Sequence, residues 1–307
     1  MKLIFTFSFF LISFICWAQA PSYCIYLMSG DITVSAKGKP AEKAKLNQFL
    51  SDNQELKLGG KAQLTLVTRE SKYLVLNTPG TYPVANLSQN LKNYPPGVTQ
   101  KYVSLLWKDL VASQDNFSSV RKSASVGTMG GVHRGDDCGG LVFPTPGLHT
   151  SEDNIRFTWR TIPKSGNYEL VILDDQLNDV LVRQVADTIV NVNISKELGG
   201  KMGNFYWTVR LKTSCEIDPA PFAFVTKEQE EKSVGSEQAF QSITDPIQQL
   251  SAIDQLVKDG WIYRAFRYFD KLVKNNPGNK MLSGQYAMLL LQYGFSKEAE
   301  EVYDLGK

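Results

Sequence analysis

Near the end of the 307-residue chain one sparse pattern appears twice, and few features restrict a fold as much as a repeat. Gly260 returns as Gly294, Ala265 as Ala299, Leu256 as Leu290 and Phe269 as Tyr303, all at a spacing of 34 residues. The residues between keep helical periodicity. Ile247, Leu250, Ile253 and Val257 fall on one face, and Ile262, Phe266, Phe269 and Val273 on the next. Alanine lets helix backbones approach closely, glycine permits the turn between paired helices, and Pro277 stops the second helix. From about Pro246 the sequence therefore predicts paired helices repeated in tandem.

Period, turn glycine and contact alanine together resemble the tetratricopeptide repeat. The resemblance implies a module over residues 245–307 of the kind that holds peptides and proteins. Two repeats are fewer than the three or more that bury a continuous core. The pair must lean on the rest of the chain, self-associate, or dock on another protein. Aromatic side chains concentrate binding energy where they fill a partner's pockets. Tyr263, Phe266, Tyr286 and Tyr293 are the candidate partner-binding residues where exposed, and each is equally a candidate for the core.

The other end reads MKLIFTFSFFLISFICWAQA. One lysine, an apolar run from Leu3 to Ile15 and the small-residue Ala18-Gln19-Ala20 site have the layout of a signal peptide over residues 1–20. Pro21 disfavours cleavage after Ala20 and points to Ala18; the alternative is an uncleaved anchor. The run is short for a membrane span, and no other segment is a candidate for one. The expectation is an exported protein, periplasmic or at the cell surface. In an oxidising compartment Cys138 and Cys215, which bracket one strand-rich segment, form a candidate disulfide. Cys24, beside Ile25 and Tyr26, suits a buried small hydrophobe.

Between the ends the period changes from helical to two. In residues 21–113, "YLMSGDITVS", "QELKL", "AQLTLVT" and "KYLVLN" alternate apolar and polar side chains as half-buried strands do. A short helical patch is expected around Ala41–Leu50. A closing helix carries Val98, Tyr102, Leu105, Leu106 and Leu110 on one face, flanked by Trp107. The succession "MSGDITV", "LSDNQELKLGGKAQLTLVT" and "KYLVLNTPGTYPV" resembles a FecR-like domain. That family often supplies periplasmic sensors; its signalling role is not carried over, because no cytoplasmic segment is apparent.

A polar linker spans 114–137, and its Arg134-Gly135-Asp136 triplet is what chance places in such a loop. Residues 138–226 then show short strands at the spacing of a sandwich, including "NIRFTWR", "NYELVILDD", "TIVNVNI" and "NFYWTVRLK". The "FTW" and "FYWTVRL" pieces resemble an immunoglobulin-like or fibronectin type III-like sandwich. Trp159 and Trp207, with apolar neighbours in register, are expected in its core rather than as a sugar-stacking platform. A second linker, 227–244, leads to the helices. The expected fold class is multidomain, two mainly-β domains followed by an α-helical repeat hairpin.

Reactive chemistry has little material. The two histidines are His133, in the linker, and His149, in a Pro-Gly loop, and no zinc-type spacing surrounds them. Adjacent carboxylates at Asp136-Asp137 and Asp174-Asp175 point to opposite faces of an extended chain, and "DDQLND" reads as a hairpin turn. A formal net charge of +2 creates no field for nucleic acid or an anionic membrane. The sequence thus predicts no catalytic residues, no metal and no cofactor. It predicts a non-enzymatic binding or scaffold protein of a bacterial cell envelope, touching another envelope protein through the helical repeats. The alternative is a ligand-sensing or carbohydrate-binding module acting through the β domains, with Tyr82, Tyr94 and Trp107 as candidates. Oligomeric state stays open.

Overall fold

The computed structural model describes residues 22–36, 38–94, 97, 100–103, 107, 139–160, 168–211 and 217–306. The expected leader and linker 114–137, and with them His133, Cys138 and Cys215, lie outside these residues. β sheets come first and a helical region follows; none of the described sheets closes into a barrel.

The first β unit contains β1 (Tyr23–Ser29), β2 (Ile32–Ala36), β3 (Glu42–Lys43), β4 (Phe49–Leu50), β5 (Gln54–Leu58), β6 (Gln63–Val67), β7 (Lys72–Leu76), β8 (Gly80–Pro83) and β9 (Lys92–Asn93). They form two antiparallel sheets, ordered β4-β1-β6-β7-β9 and β3-β2-β5-β8. Ile25, Leu64 and Leu66 of one meet Ile32, Val34, Leu56 and Leu58 of the other in a core of aliphatic side chains. β1 departs from simple alternation, since Tyr23 through Leu27 are all buried. Tyr23 and Ile25 enter this core, whereas Cys24 and Tyr26 belong to a second cluster shared with the C-terminal helices.

The helix expected at Ala41–Leu50 is absent. Glu42–Lys43 pair with β2 and Phe49–Leu50 with β1, and Asn47 between them takes a left-handed φ of 61°. Cross-strand partners override a weak local preference here. Of the expected closing helix, residues 100–103 and 107 are helical, and Tyr102, Val103 and Trp107 are buried. Val98, Leu105, Leu106 and Leu110 lie outside the described residues.

The second β unit contains β10 (Gly140–Phe143), β11 (Leu148–Thr150), β12 (Asn154–Arg160), β13 (Tyr168–Leu173), β14 (Asp179–Val185), β15 (Ile189–Asn193), the short helix α1 (Ile194–Glu197), β16 (Gly203–Leu211) and β17 (Ala220–Phe224). Its sheets run β10-β12-β15 and β11-β17-β16-β13-β14, with β11 and β17 parallel and the other pairs antiparallel. Phe157 of β12 meets Trp207 of β16 edge-on, with centroids 5.1 Å apart, and Trp159 meets Tyr168 at 5.6 Å. Both tryptophans are in the core, and the Trp207 indole donates to the Pro144 carbonyl at 3.0 Å. Asp174 closes the β13–β14 turn by accepting from the amides of Gln176 and Asn178 at 3.0 and 2.8 Å.

The helices are α2 (Lys227–Val234), α3 (Glu237–Gln241), α4 (Pro246–Lys258), α5 (Ile262–Lys274), α6 (Lys280–Gln292) and α7 (Ser296–Asp304). Residues 227–244, polar by composition, differ from the expected linker by forming α2 and α3. Thr226 and Gln229 make a reciprocal capping box at the start of α2. Asp245 caps α4 ahead of Pro246, and Asn279 caps α6. Ala265 and Ala299, the repeated alanines, are fully buried. Among the described residues no helix is long and apolar enough to cross a membrane.

Candidate functional site

Each repeat opens its second helix with an aromatic ring where Ser, Thr, Asp or Asn is usual. Trp261 precedes α5 and Phe295 precedes α7, and neither side chain caps its helix. The rings engage the second β unit instead. Trp261 stacks on His149 at 5.2 Å between centroids, and Phe295 lies edge-on to Phe143 at 5.1 Å. The Arg156 guanidinium sits 4.2 Å from the Phe295 ring centroid. The glycine before each ring is committed as well. Gly260 has φ +81°, and a β-carbon there would run into the Gly147 carbonyl oxygen. Gly294 has φ +82°, and its β-carbon would fall 3.1 Å from Val142 Cγ1. The amide of His149 donates to the Gly260 carbonyl at 2.9 Å. The repeated turn is thus the edge by which the helices dock.

The four aromatic residues singled out in the sequence converge on this edge. Phe266 lies 6.4 Å from Tyr263, 6.3 Å from Tyr286 and 5.9 Å from Tyr293, measured between ring centroids. Tyr263 and Tyr293 also flank Phe143, at 5.4 and 6.0 Å. Phe266, Tyr286 and Tyr293 are buried and Tyr263 is half-buried. The Tyr263 hydroxyl accepts from the Arg156 amide at 2.9 Å. Burial pushes the phenols of Tyr263 and Tyr293 up to about 12, so both stay neutral at physiological pH. These rings therefore make their contacts inside the chain. Sequence reasoning missed Phe143, Trp261 and Phe295, although Trp261 and Phe295 follow the turn glycines at the same repeat spacing.

A charged cluster reinforces the junction from the side of α2. Glu230, 3% exposed, accepts from Arg264 at 3.1 Å and from Arg267 at 2.9 Å, while Ser151 of the second β unit donates to its other oxygen. Arg264 also donates to the Tyr268 hydroxyl and the Gly235 carbonyl, both at 2.8 Å. Phe240 of α3 stacks on Tyr268 at 3.8 Å. Arg156 and Glu298 form a further two-pronged pair between β12 and α7.

The other flank of the helices meets the first β unit through neutral hydrogen bonds and the buried carboxylate of Asp254 on α4, which lies against Gly97 and near Tyr26 and Tyr102. The Tyr26 hydroxyl donates to Gln285 Oε1 at 2.7 Å, and the Tyr102 hydroxyl to Gln292 Oε1 at 2.8 Å. Asn279 donates to the Tyr26 carbonyl, and Asn47 to the Gly278 carbonyl at 2.9 Å. Tyr94 and Trp107, candidates for glycan contact, are buried at this flank; Tyr82 is half-buried, and its hydroxyl donates to the Thr78 carbonyl at 2.7 Å. Cys24 is a free, fully buried thiol, pushed by burial up to about 12. Among the described residues no group of three or more His, Cys, Asp or Glu side chains is placed to hold a metal ion. Compared with protein-family models and with curated proteins, the chain matches none.

Proposed function

We propose that this chain is a non-enzymatic, exported binding or scaffold protein of a bacterial cell envelope. In this reading a FecR-like unit and an immunoglobulin- or fibronectin-like unit are joined by tetratricopeptide-like helices, which meet another envelope protein. One observation carries it: both repeated turns seat on the second β unit while α6 faces the first. The helices are thereby a platform braced on two sides. The leader-like start, "MKLIFTFSFFLISFICWAQA", supports export. With the ring cluster turned inward, the helical surface left to a partner includes the exposed face of α7 at Lys297, Glu300 and Glu301.

Photo-crosslinking in cells tests this, with the reactive side chain placed at Glu301 on α7 or at exposed Val182 on β14. The expected result is a protein adduct from position 301 and none from 182. Adducts from 182 alone move recognition to the β units, and recovery of the native chain from the cytosol ends the envelope reading.

A further inference from the structure

The sheet β10-β12-β15 carries the helices on its outer face, but not across its full width. Ile155, Phe157 and Trp159 of β12 point into the core between the two sheets, so Arg156 and Thr158 point the other way. Arg156 meets Glu298 and Phe295 there, and Thr158 lies beside Gly294. Their cross-strand partners in β15 are Asn191 and Ile189, on the same face, and both are exposed. The helices thus cover β12 and stop short of β15. The Trp159 amide donates to the Thr188 carbonyl at 3.0 Å and the Ile194 amide to the Asp153 carbonyl at 2.7 Å, so Val190 and Val192 turn their backbone groups toward β12. Those of Ile189 and Asn191 turn outward, and among the described residues no strand pairs with that edge. Such an edge is a template for another strand. Beside it, Glu301 stands one turn beyond Glu298 on the same side of α7. Even with Glu298 matched by Arg156, the helix stays acidic, setting Glu300, Glu301 and Asp304 against Lys297.

We infer that the open edge of β15, with α7 beside it, docks an extended segment of a partner protein, which adds as one more antiparallel strand and alternates basic with apolar side chains. Antiparallel addition puts the residues bonded to Ile189 and Asn191 with their side chains on the α7 side of the sheet. Basic residues fit there, aliphatic stems over Ile189 and charged heads toward the carboxylates of α7. The residues between them lie on the side of half-buried Val190, where β-branched side chains suit the pleat. In such additions main-chain bonds give affinity and alternate side chains give selectivity. The inference names the kind of partner that α7 meets and so rests on the proposed role of that helix.

The probe is a fluorescein-labelled peptide of alternating lysine and valine, titrated into the full mature chain and followed by anisotropy. Expected is saturable binding that weakens with added salt, and none by a glutamate–valine peptide. N-methylating the lysines removes the amides that bond to β15 and should abolish binding; N-methylating the valines, whose amides point to solvent, should not. Asn191→Pro deletes an outward amide without breaking a bond to β12, and should weaken binding about tenfold. Glu301→Lys should weaken it about fivefold. Absence of binding, indifference to which residues are methylated, or full affinity in folded Asn191→Pro overturns the inference; if that variant does not fold, the two methylated peptides decide. In cells, a photo-reactive side chain at Asn191 should capture the same protein as one at Glu301. An adduct from Glu301 alone overturns strand addition and leaves the helical platform standing. Peptide binding with no adduct from either position upholds the edge and overturns the platform instead.

Discussion

The helices meet their two neighbours with different chemistry. Against the second β unit they use rings, two closely approached glycines, the ion pairs Arg156–Glu298 and Arg267–Glu152, and the hydrogen bond from Ser151 to Glu230. Against the first they use tyrosine hydroxyls, side-chain amides and the buried Asp254 carboxylate over an apolar bed. The buried Glu230–Arg264 pair joins α2 to α5 and, being expensive to leave half-made, fixes the helices on which this junction is built. Neutral hydrogen bonds exchange with water at little net cost. The junction with the second β unit thus brings opposite charges together, whereas the one with the first sets neutral groups around the buried Asp254 carboxylate, and both bury side chains well.

Removing the Glu230 carboxylate attacks the helical side of the junction with the second β unit hardest. Glu230→Leu leaves Arg264, itself 5% exposed, without its buried counter-charge, and global stability should fall by about 3–5 kcal/mol. Urea denaturation checks this. A loss under 1 kcal/mol would mean that the cluster is solvated enough to behave like a surface pair, and the contrast between the junctions would weaken.

The glycines separate docking from backbone preference. Gly260→Ala combines a left-handed φ with a clash against Gly147, for about 3 kcal/mol in all. Gly278 has φ +76° but open space around it, so Gly278→Ala should cost only the backbone share, about 1–2 kcal/mol. Equal losses at the two positions would remove close approach as the reason for Gly260.

How much of this was legible depends on how far apart in sequence the contacting residues lie. The helical period, Pro246 and the repeated glycines placed α4 to α7, and alternation placed β5, β6, β7, β12, β13, β15 and β16, because those signals are local. Glu230 lay in a stretch whose charges resembled a solvated linker; only the fold brings Arg264 and Ser151 around it. Tyr26 and Gln285 are 259 residues apart, and nothing in either neighbourhood announces the other. The four aromatics Tyr263, Phe266, Tyr286 and Tyr293 are visible as candidates on the helices, but whether they face a partner or the core is not. Phe143, which Tyr263 and Tyr293 flank, lies in a strand that carries no clear alternation. The same spacing of 34 residues links Trp261 with Phe295, each directly after a turn glycine, and this is the local signal of the docking edge.

The smallest expected effect is acid sensitivity confined to the same junction. Burial raises the Glu298 carboxyl, but hydrogen bonds from Arg156 and from its own amide, with the charges of Arg156 and Lys297, outweigh it and hold the group below its ordinary value. A carboxylate depressed in the folded state contributes stability that is fully present above the unfolded value, roughly 4.3, and is lost as pH falls through the lower folded value. Between neutral pH and about 5 the contribution should be constant, and below about 4.3 it should drain away. The pair is partly exposed, with side chains 19% and 35% accessible, so solvent screening keeps the effect modest. Glu298→Gln should therefore lower the urea midpoint slightly at pH 7 and flatten its slope below pH 4.3 relative to the unsubstituted chain.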